Sequence, residues 1–266
     1  MCGRYASVAS RAELLERFVV DESNAGELRG QDFNVTPTKD NPVVIARVPQ
    51  DADEDAEPVR ELRAFRWGLL PFWAKDIKVG AKMINARAET VHEKPAYRRA
   101  FKSQRALIPV DAFYEWLETD QVGKSGKKLK QPFALRPADG STLALAGLYE
   151  VWYDKSLPDD DPARVVPTYT IITATATDSV GRIHDRTPMA ITGSLGRVAR
   201  SPQPRRRPAA WSHGAAGRRQ PRHVRCLEGR QQCEEQRPRL VRATAHGSLT
   251  GSDPHFRSSM GTGLWP

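Results

Sequence analysis

Thr168-Tyr169-Thr170-Ile171-Ile172-Thr173-Ala174-Thr175-Ala176 is the stretch that says most about the fold. It is dominated by β-branched and aromatic side chains, which suit a pleated strand and lose rotamer freedom in a helix. Comparable runs at Val43–Val48, Arg63–Trp67, Ala106–Val110, Phe113–Leu117 and Leu143–Trp152 predict a β-rich core. Helical signals are fewer. Ser10-Arg11-Ala12-Glu13 reads as a capping box, with Leu14, Leu15 and Phe18 on one face of a helix over Arg11–Val20. Pro95 suits the first turn of a second helix through Phe101. Asp51–Glu57, Gln121–Lys130 and Asp154–Ala163 read as surface loops. The expectation is an α+β fold in one domain over residues 1–192.

A different composition begins near residue 193. Residues 1–192 carry 27 Lys and Arg against 28 Asp and Glu, whereas residues 193–266 carry 14 Arg, no Lys and 4 acidic residues. The whole-chain charge of +9 therefore belongs to the last quarter and gives no reason to expect nucleic-acid binding by the domain. Ser201-Pro202-Gln203-Pro204-Arg205-Arg206-Arg207-Pro208 has no period, and apolar runs nearly vanish. We expect residues 193–266 to be an unstructured basic tail that does not pack on the domain. The composition also fits a shifted reading frame: the codons of Gly193–Pro202 can be chosen so that the neighbouring frame reads V-P-W-D-A-W-H-D-R-L.

No apolar run reaches the ~18 residues of a membrane span, and residues 11–20 read as an amphipathic helix rather than a leader, so a cytoplasmic protein is expected. Cys2, Cys226 and Cys233 form neither a disulfide framework nor a zinc pattern, so no metal and no cofactor is expected.

Chemistry concentrates at the start of the chain, Met1-Cys2-Gly3-Arg4-Tyr5. Loss of Met1 would leave a residue with a thiol and an α-amine on adjacent carbons, with reference pKa values near ~8.5 and ~7.7–8.0. Such an aminothiol condenses with an aldehyde to a Schiff base and closes to a five-membered thiazolidine. Capture needs a neutral amine, a proton acceptor, and a donor to the oxygen that leaves. Glu115, flanked by Tyr114 and Trp116 in a predicted strand, is a carboxylate whose pKa an apolar setting would raise, although plain alternation would turn it outward. His184 titrates in the useful range, although a surface loop is its blander reading.

Six segments occur in order: Met1–Tyr5, Asn34–Thr38, Trp67–Ala74, Asn85–Thr90, Ile108–Trp116 and His184–Met189. The set resembles the SRAP family (SOS response-associated peptidase), proteins that crosslink to abasic sites in single-stranded DNA. The resemblance spans residues 2 to about 191. It implies a β-rich core curved around a DNA groove, with flanking helices. It makes Cys2 the nucleophile, exposed by autocatalytic removal of Met1. Asn85 would bond near the Cys2 amine and the captured sugar, Glu115 would transfer protons, and His184 would protonate the sugar oxygen and assist reversal. Arg4, Arg87 and Arg186 would hold phosphates, with Asn34, Trp67 and Trp73 near the DNA; by themselves these tryptophans fit a core equally well. The implied partner is single-stranded DNA containing abasic sites, met by a monomer in the cytoplasm that joins the nucleoid when DNA is damaged. Thr187 departs from the family's usual Met, and the segment expected after residue 192 is missing as printed. Two rival readings stand beside this one: a thiol peptidase acting on other proteins through Cys2, His184 and Asn85, and a non-functional product of a damaged frame.

Overall fold

The computed structural model describes residues 2–49, 56–176 and 179–191, and the backbone of 239–243 and 249–250. In chain order the strands and helices are β1 (Tyr5–Ser7), α1 (Arg11–Phe18), β2 (Asp32–Val35), β3 (Asp40–Arg47), β4 (Val59–Trp67), β5 (Asn85–Arg87), α2 (Arg98–Ser103), β6 (Arg105–Val110), β7 (Ala112–Val122), β8 (Lys128–Pro137), β9 (Leu143–Tyr153), β10 (Val165–Thr175), β11 (Arg186–Pro188), β12 (Arg239–Ala243) and β13 (Leu249–Thr250).

The decisive stretch forms β10, and β10 organises the rest. It runs antiparallel to β9 along one side and parallel to β4 and then β5 along the other. Strands β4–β3–β6–β9 continue the ladder until β9 meets β10 again, so five strands close into a barrel. Closure removes the open edges that would recruit other chains. A second sheet, in the order β2–β1–β7–β8, lies across the barrel. One core cluster joins the two. It includes Val43, Phe65, Trp67, Ile108, Leu145, Tyr169 and Ile171 from the barrel, and Tyr5, Phe113 and Leu135 from the second sheet.

Helix α1 has the predicted capping box, with both reciprocal bonds formed between Ser10 and Glu13. Its Leu14 and Phe18 pack on Val44, Leu62 and Leu107. It stops at Phe18 because Val19 turns left-handed (φ 52°), earlier than the expected end at Val20. Helix α2 begins at Arg98, not in a turn opened by Pro95; Lys94–Tyr97 form turns before it. The loop expected over Gln121–Lys130 is a hairpin in which β7 runs on to Val122 and β8 starts at Lys128. Ladder bonds and cross-strand pairs such as Glu118 opposite Lys130 hold these polar residues in strand geometry.

Two anchors place the chain's start. The Asp111 carboxylate accepts the N–H groups of Val8 (2.6 Å) and Ala9 (2.9 Å) and the Thr142 hydroxyl (2.7 Å). Strand β1 then lies along β7, with Tyr5 beside Phe113, so residues 2–4 run past Tyr114–Trp116. Downstream of β4, Gly68 has φ 120°, and a Cβ there would come within 2.3 Å of the Gly80 carbonyl oxygen. Only glycine admits this backbone crossing, which launches Leu69–Trp73 from the barrel rim.

The tail expectation divides. Strand β12 pairs parallel with β8, from Arg239 beside Phe133 to Ala243 beside Pro137, and β13 pairs with β12. For those strands the backbone joins the second sheet, because β8 otherwise offers an unpaired edge. The remainder of 193–266 lies outside the described residues, and so does the call that it stays unstructured.

Candidate active site

Cys2 is fully buried in the core cluster shared by the barrel and the second sheet. Asn85, on β5, donates from Nδ2 to the Cys2 carbonyl oxygen at 2.7 Å. The main-chain carbonyl of Asn85 accepts from the Tyr97 hydroxyl (3.2 Å), and β5 is held by pairing with β10. Burial first, then the nearby charge of Glu115, pushes the Cys2 thiol well above its ordinary range. At neutral pH the sulfur is therefore a thiol.

Glu115 reverses the outward reading. It is 2% exposed, while its strand neighbour Trp116 is 37% exposed. Period-two alternation on β7 thus places the charged residue inside and the aromatic outside, an arrangement that stability alone does not favour. Burial raises the Glu115 carboxyl to about 7, against a smaller opposing pull from the positive chain terminus. A carboxyl with that value gives and takes protons readily near neutrality.

His184 precedes β11 and is half-buried. Its Nδ1 faces two partners: the Arg186 main-chain N–H at 3.0 Å and the Asp185 carboxylate at 2.8 Å. One nitrogen serves them in different protonation states. A ring with a proton on Nδ1 donates to Asp185; a ring with Nδ1 bare accepts from Arg186. Burial lowers the His184 pKa from its ordinary value, against an opposing pull from Asp185, and a neutral ring that accepts from Arg186 carries its proton on Nε2. Asp185, largely exposed, reaches Glu115 electrostatically and raises its pKa further. Cys2, Asn85 and Glu115 are therefore brought together, and the His184–Asp185 step joins them.

The residues expected at DNA separate. Arg4 is exposed and donates to Asn34 Oδ1 at 2.8 Å, so those two stand side by side. Arg87 is exposed at the end of β5, and Trp73 is half-exposed beside exposed Phe72. Trp67 is a correction. It is fully buried, donates from its indole N–H to the Ile84 carbonyl (2.9 Å), and packs against Tyr5 and Tyr169. It is core because it ends a barrel strand with its side chain inward. Arg186 is a second correction. Its guanidinium is buried against Glu89, Thr173 and Thr175 and does not face solvent as a phosphate ligand would.

Exposed Phe72 and Phe33 were missed. Phe72 has the Arg99 guanidinium 4.9 Å above its ring and adjoins Trp73 in the same rim segment, a signal that was legible. The Phe33 main chain accepts from the Tyr114 hydroxyl at 2.8 Å, which no sequence pattern announces. Among the described residues no cluster of His, Cys, Asp and Glu could hold a metal ion.

A family model described as SOS response associated peptidase (SRAP) matches residues 1–198. The chain belongs to the SRAP family. Similar SRAP relatives include the abasic site processing protein YoqW of Bacillus subtilis, 36% identical over 192 residues, which are 72% of this chain and 76% of that one. YoaM of the same organism, also named an abasic site processing protein, is 37% identical over 191 residues, 72% of this chain and 75% of the relative. The abasic site processing protein HMCES of Xenopus tropicalis is 28% identical over 182 residues, covering 60% of this chain and 50% of its own. Among solved structures, a Bacteroides thetaiotaomicron protein superposes with TM-score 0.56 at 22% identity, over 72% of this chain and 77% of that one. A Bordetella bronchiseptica protein gives 0.52 at 24% identity, over 74% and 86%. These neighbours share the SRAP fold.

Proposed function

We propose that this protein captures abasic sites in single-stranded DNA covalently, through Cys2 after Met1 is removed. The observation that carries the reading is the buried Glu115 carboxyl, raised to about 7, beside a buried Cys2 whose carbonyl is fixed by Asn85. In the full chain the Cys2 nitrogen is part of the Met1–Cys2 peptide bond. Hydrolysis of that bond consumes one water, releases methionine and frees the amine; Glu115 is the group placed to move the proton.

Capture then proceeds from the amine. An abasic sugar opens to its aldehyde as its ring oxygen takes a proton from Nε2 of protonated His184, which becomes neutral, while the hydroxyl on the anomeric carbon gives its proton to the Glu115 carboxylate. The Cys2 amine adds to the aldehyde carbon and one water leaves, giving the imine. The thiol adds to the imine carbon, its proton passes to the nitrogen through Glu115, and the thiazolidine ring closes. No early thiolate is required, which agrees with a thiol held protonated by burial. Asn85 fixes the carbonyl end of Cys2 and so limits the orientations open to its amine and sulfur. Arg4 and Arg87 suit phosphate contacts, and Trp73 with Phe72 suits sequence-tolerant stacking on bases.

A peptidase acting on other proteins fits less well. Asn85 addresses the Cys2 main chain rather than an imidazole. The test is direct. Protein mixed with a single-stranded oligonucleotide bearing one abasic site should give a heat-stable shifted band, and its intact mass should lack one methionine. Cys2→Ala should give no band yet still bind the oligonucleotide. Retention of Met1 in crosslinking protein would sink the mechanism.

A further inference from the structure

Strand β2 carries one residue more than its partner needs. Tyr5 of β1 lies opposite Val35, and Ser7 lies opposite Asp32. Two steps along β1 are matched by three along β2, so Phe33 and Asn34 share the place opposite Ala6. Such a bulge re-aims side chains. In an unbroken strand Phe33 would follow Val35, which is fully buried, onto the core face. With the bulge Phe33 is 66% exposed, and Asn34 is exposed beside it.

Side chains pin this outward turn. The Tyr114 hydroxyl donates to the Phe33 carbonyl (2.8 Å), and Asp32 Oδ1 accepts the Asn34 N–H (2.8 Å). Lys39 Nζ donates to Asp32 Oδ2 (2.6 Å) and to the Asn34 carbonyl (3.0 Å). Arg4 Nη1 donates to Asn34 Oδ1 (2.8 Å), which sets a guanidinium next to the bulge. Arg4 is two residues from Cys2, so about 7 Å of extended chain joins it to the nucleophile. A lone exposed aromatic is ordinary on a protein surface. Phe33 differs in the extra residue that takes it out of the core, the pinned backbone beneath it and the cation one side chain away.

We propose that Phe33 is a base-stacking residue of the DNA site: its ring takes the base of a nucleotide flanking the captured one, while Arg4 holds a phosphate of the same stretch. The proposal rests on the reading, under Proposed function, that single-stranded DNA is the partner. An abasic nucleotide has no base of its own to stack, so hold on the strand must come from its neighbours. Every base has a π-face, so stacking on a ring tolerates any sequence around the lesion. A ring on a pinned backbone also loses little freedom when the base arrives.

The test uses the full chain with Cys2→Ala, so that binding is read without capture. The probe is a single-stranded oligonucleotide with one central tetrahydrofuran residue, an abasic mimic that has no aldehyde. Phe33→Ala should weaken binding about tenfold. Phe33→Leu, similar in bulk but without a π-face, should weaken it equally, and Phe33→Trp should preserve it. None of the three should move the melting temperature or the salt slope of binding, whereas Arg4→Ala should flatten that slope by about 0.7 unit. A second tetrahydrofuran, placed in turn at the two positions on either side of the first, removes one base at a time. At one of these positions it should cancel the effect of Phe33→Ala. Unweakened binding by Phe33→Ala or Phe33→Leu, or a Phe33→Ala effect that persists whichever base is missing, would overturn the proposal. So would a change in oligomeric mass on Phe33→Ala with DNA binding unchanged, which would make Phe33 a contact between protein chains. If protein that keeps Cys2 forms no adduct with an aldehyde-bearing site while one missing base cancels the Phe33→Ala effect, covalent capture fails and stacking stands. If the adduct forms and no missing base cancels that effect, stacking alone fails.

Discussion

Glu115 couples stability to pH in an unusual direction for a carboxylate. Its folded value of about 7 exceeds the ordinary 4.5, so between those values the folded chain holds a proton that the unfolded chain releases. Its contribution is complete below about pH 4.5 and is lost as pH rises through 7. Glu115→Gln should therefore raise the melting temperature at pH 8, by the equivalent of about 2 kcal/mol, and leave it nearly unchanged at pH 4.5. The same variant should slow crosslinking by roughly 10²-fold. A variant that melts lower at pH 8 would remove the buried-carboxyl argument. The two tryptophans expected at DNA should also part. Trp67→Ala should destabilise the barrel by about 3–5 kcal/mol. Trp73→Ala should leave melting unchanged and weaken single-strand binding by about 1–3 kcal/mol. The chemical candidates were legible because their residue types name their chemistry. Arg186 was not, because its partner Glu89 lies 97 positions away and nothing local marks the pair.

The long barrel strands were legible as elements because β-branched and aromatic runs of five or more residues leave few alternatives to a strand. Strands β1 and β5 have three residues each, too few to display a period, and exist only through pairing with β7, β2 and β10. Strand β8 was read as part of a loop because Gly and Lys crowd its start. Such borrowed strands depend on their anchors. Asp111→Ala removes the acceptor of two main-chain N–H groups that fix the segment after β1. It should lower stability by about 2 kcal/mol and speed alkylation of Cys2 by iodoacetamide. Unchanged alkylation would mean that β1 is held by its core side chains alone.

At the scale of the molecule, the composition of residues 193–266 predicts that trypsin cuts first between Arg197 and Arg207. The five-stranded barrel should survive as a resistant fragment, whereas cleavage starting elsewhere would show that residues 197–207 are protected. The closed barrel was not legible, since closure depends on β9 returning to β10 across the fold and no sequence period encodes it. Cys2 belongs to the core of this assembly, and that placement governs its shelf life. An aminothiol in open water is consumed by any passing sugar, dicarbonyl or peroxide. On the proposed mechanism one such residue serves the whole chain, so its unproductive loss would disarm the molecule. In the chain that keeps Met1, the Cys2 nitrogen is an amide and the sulfur is held at zero exposure, so the reagent is stored out of reach of small electrophiles. Peroxide should leave the sulfur unmodified in native protein that retains Met1 and modify it rapidly in urea. Folding thus acts as the stopper on that reagent.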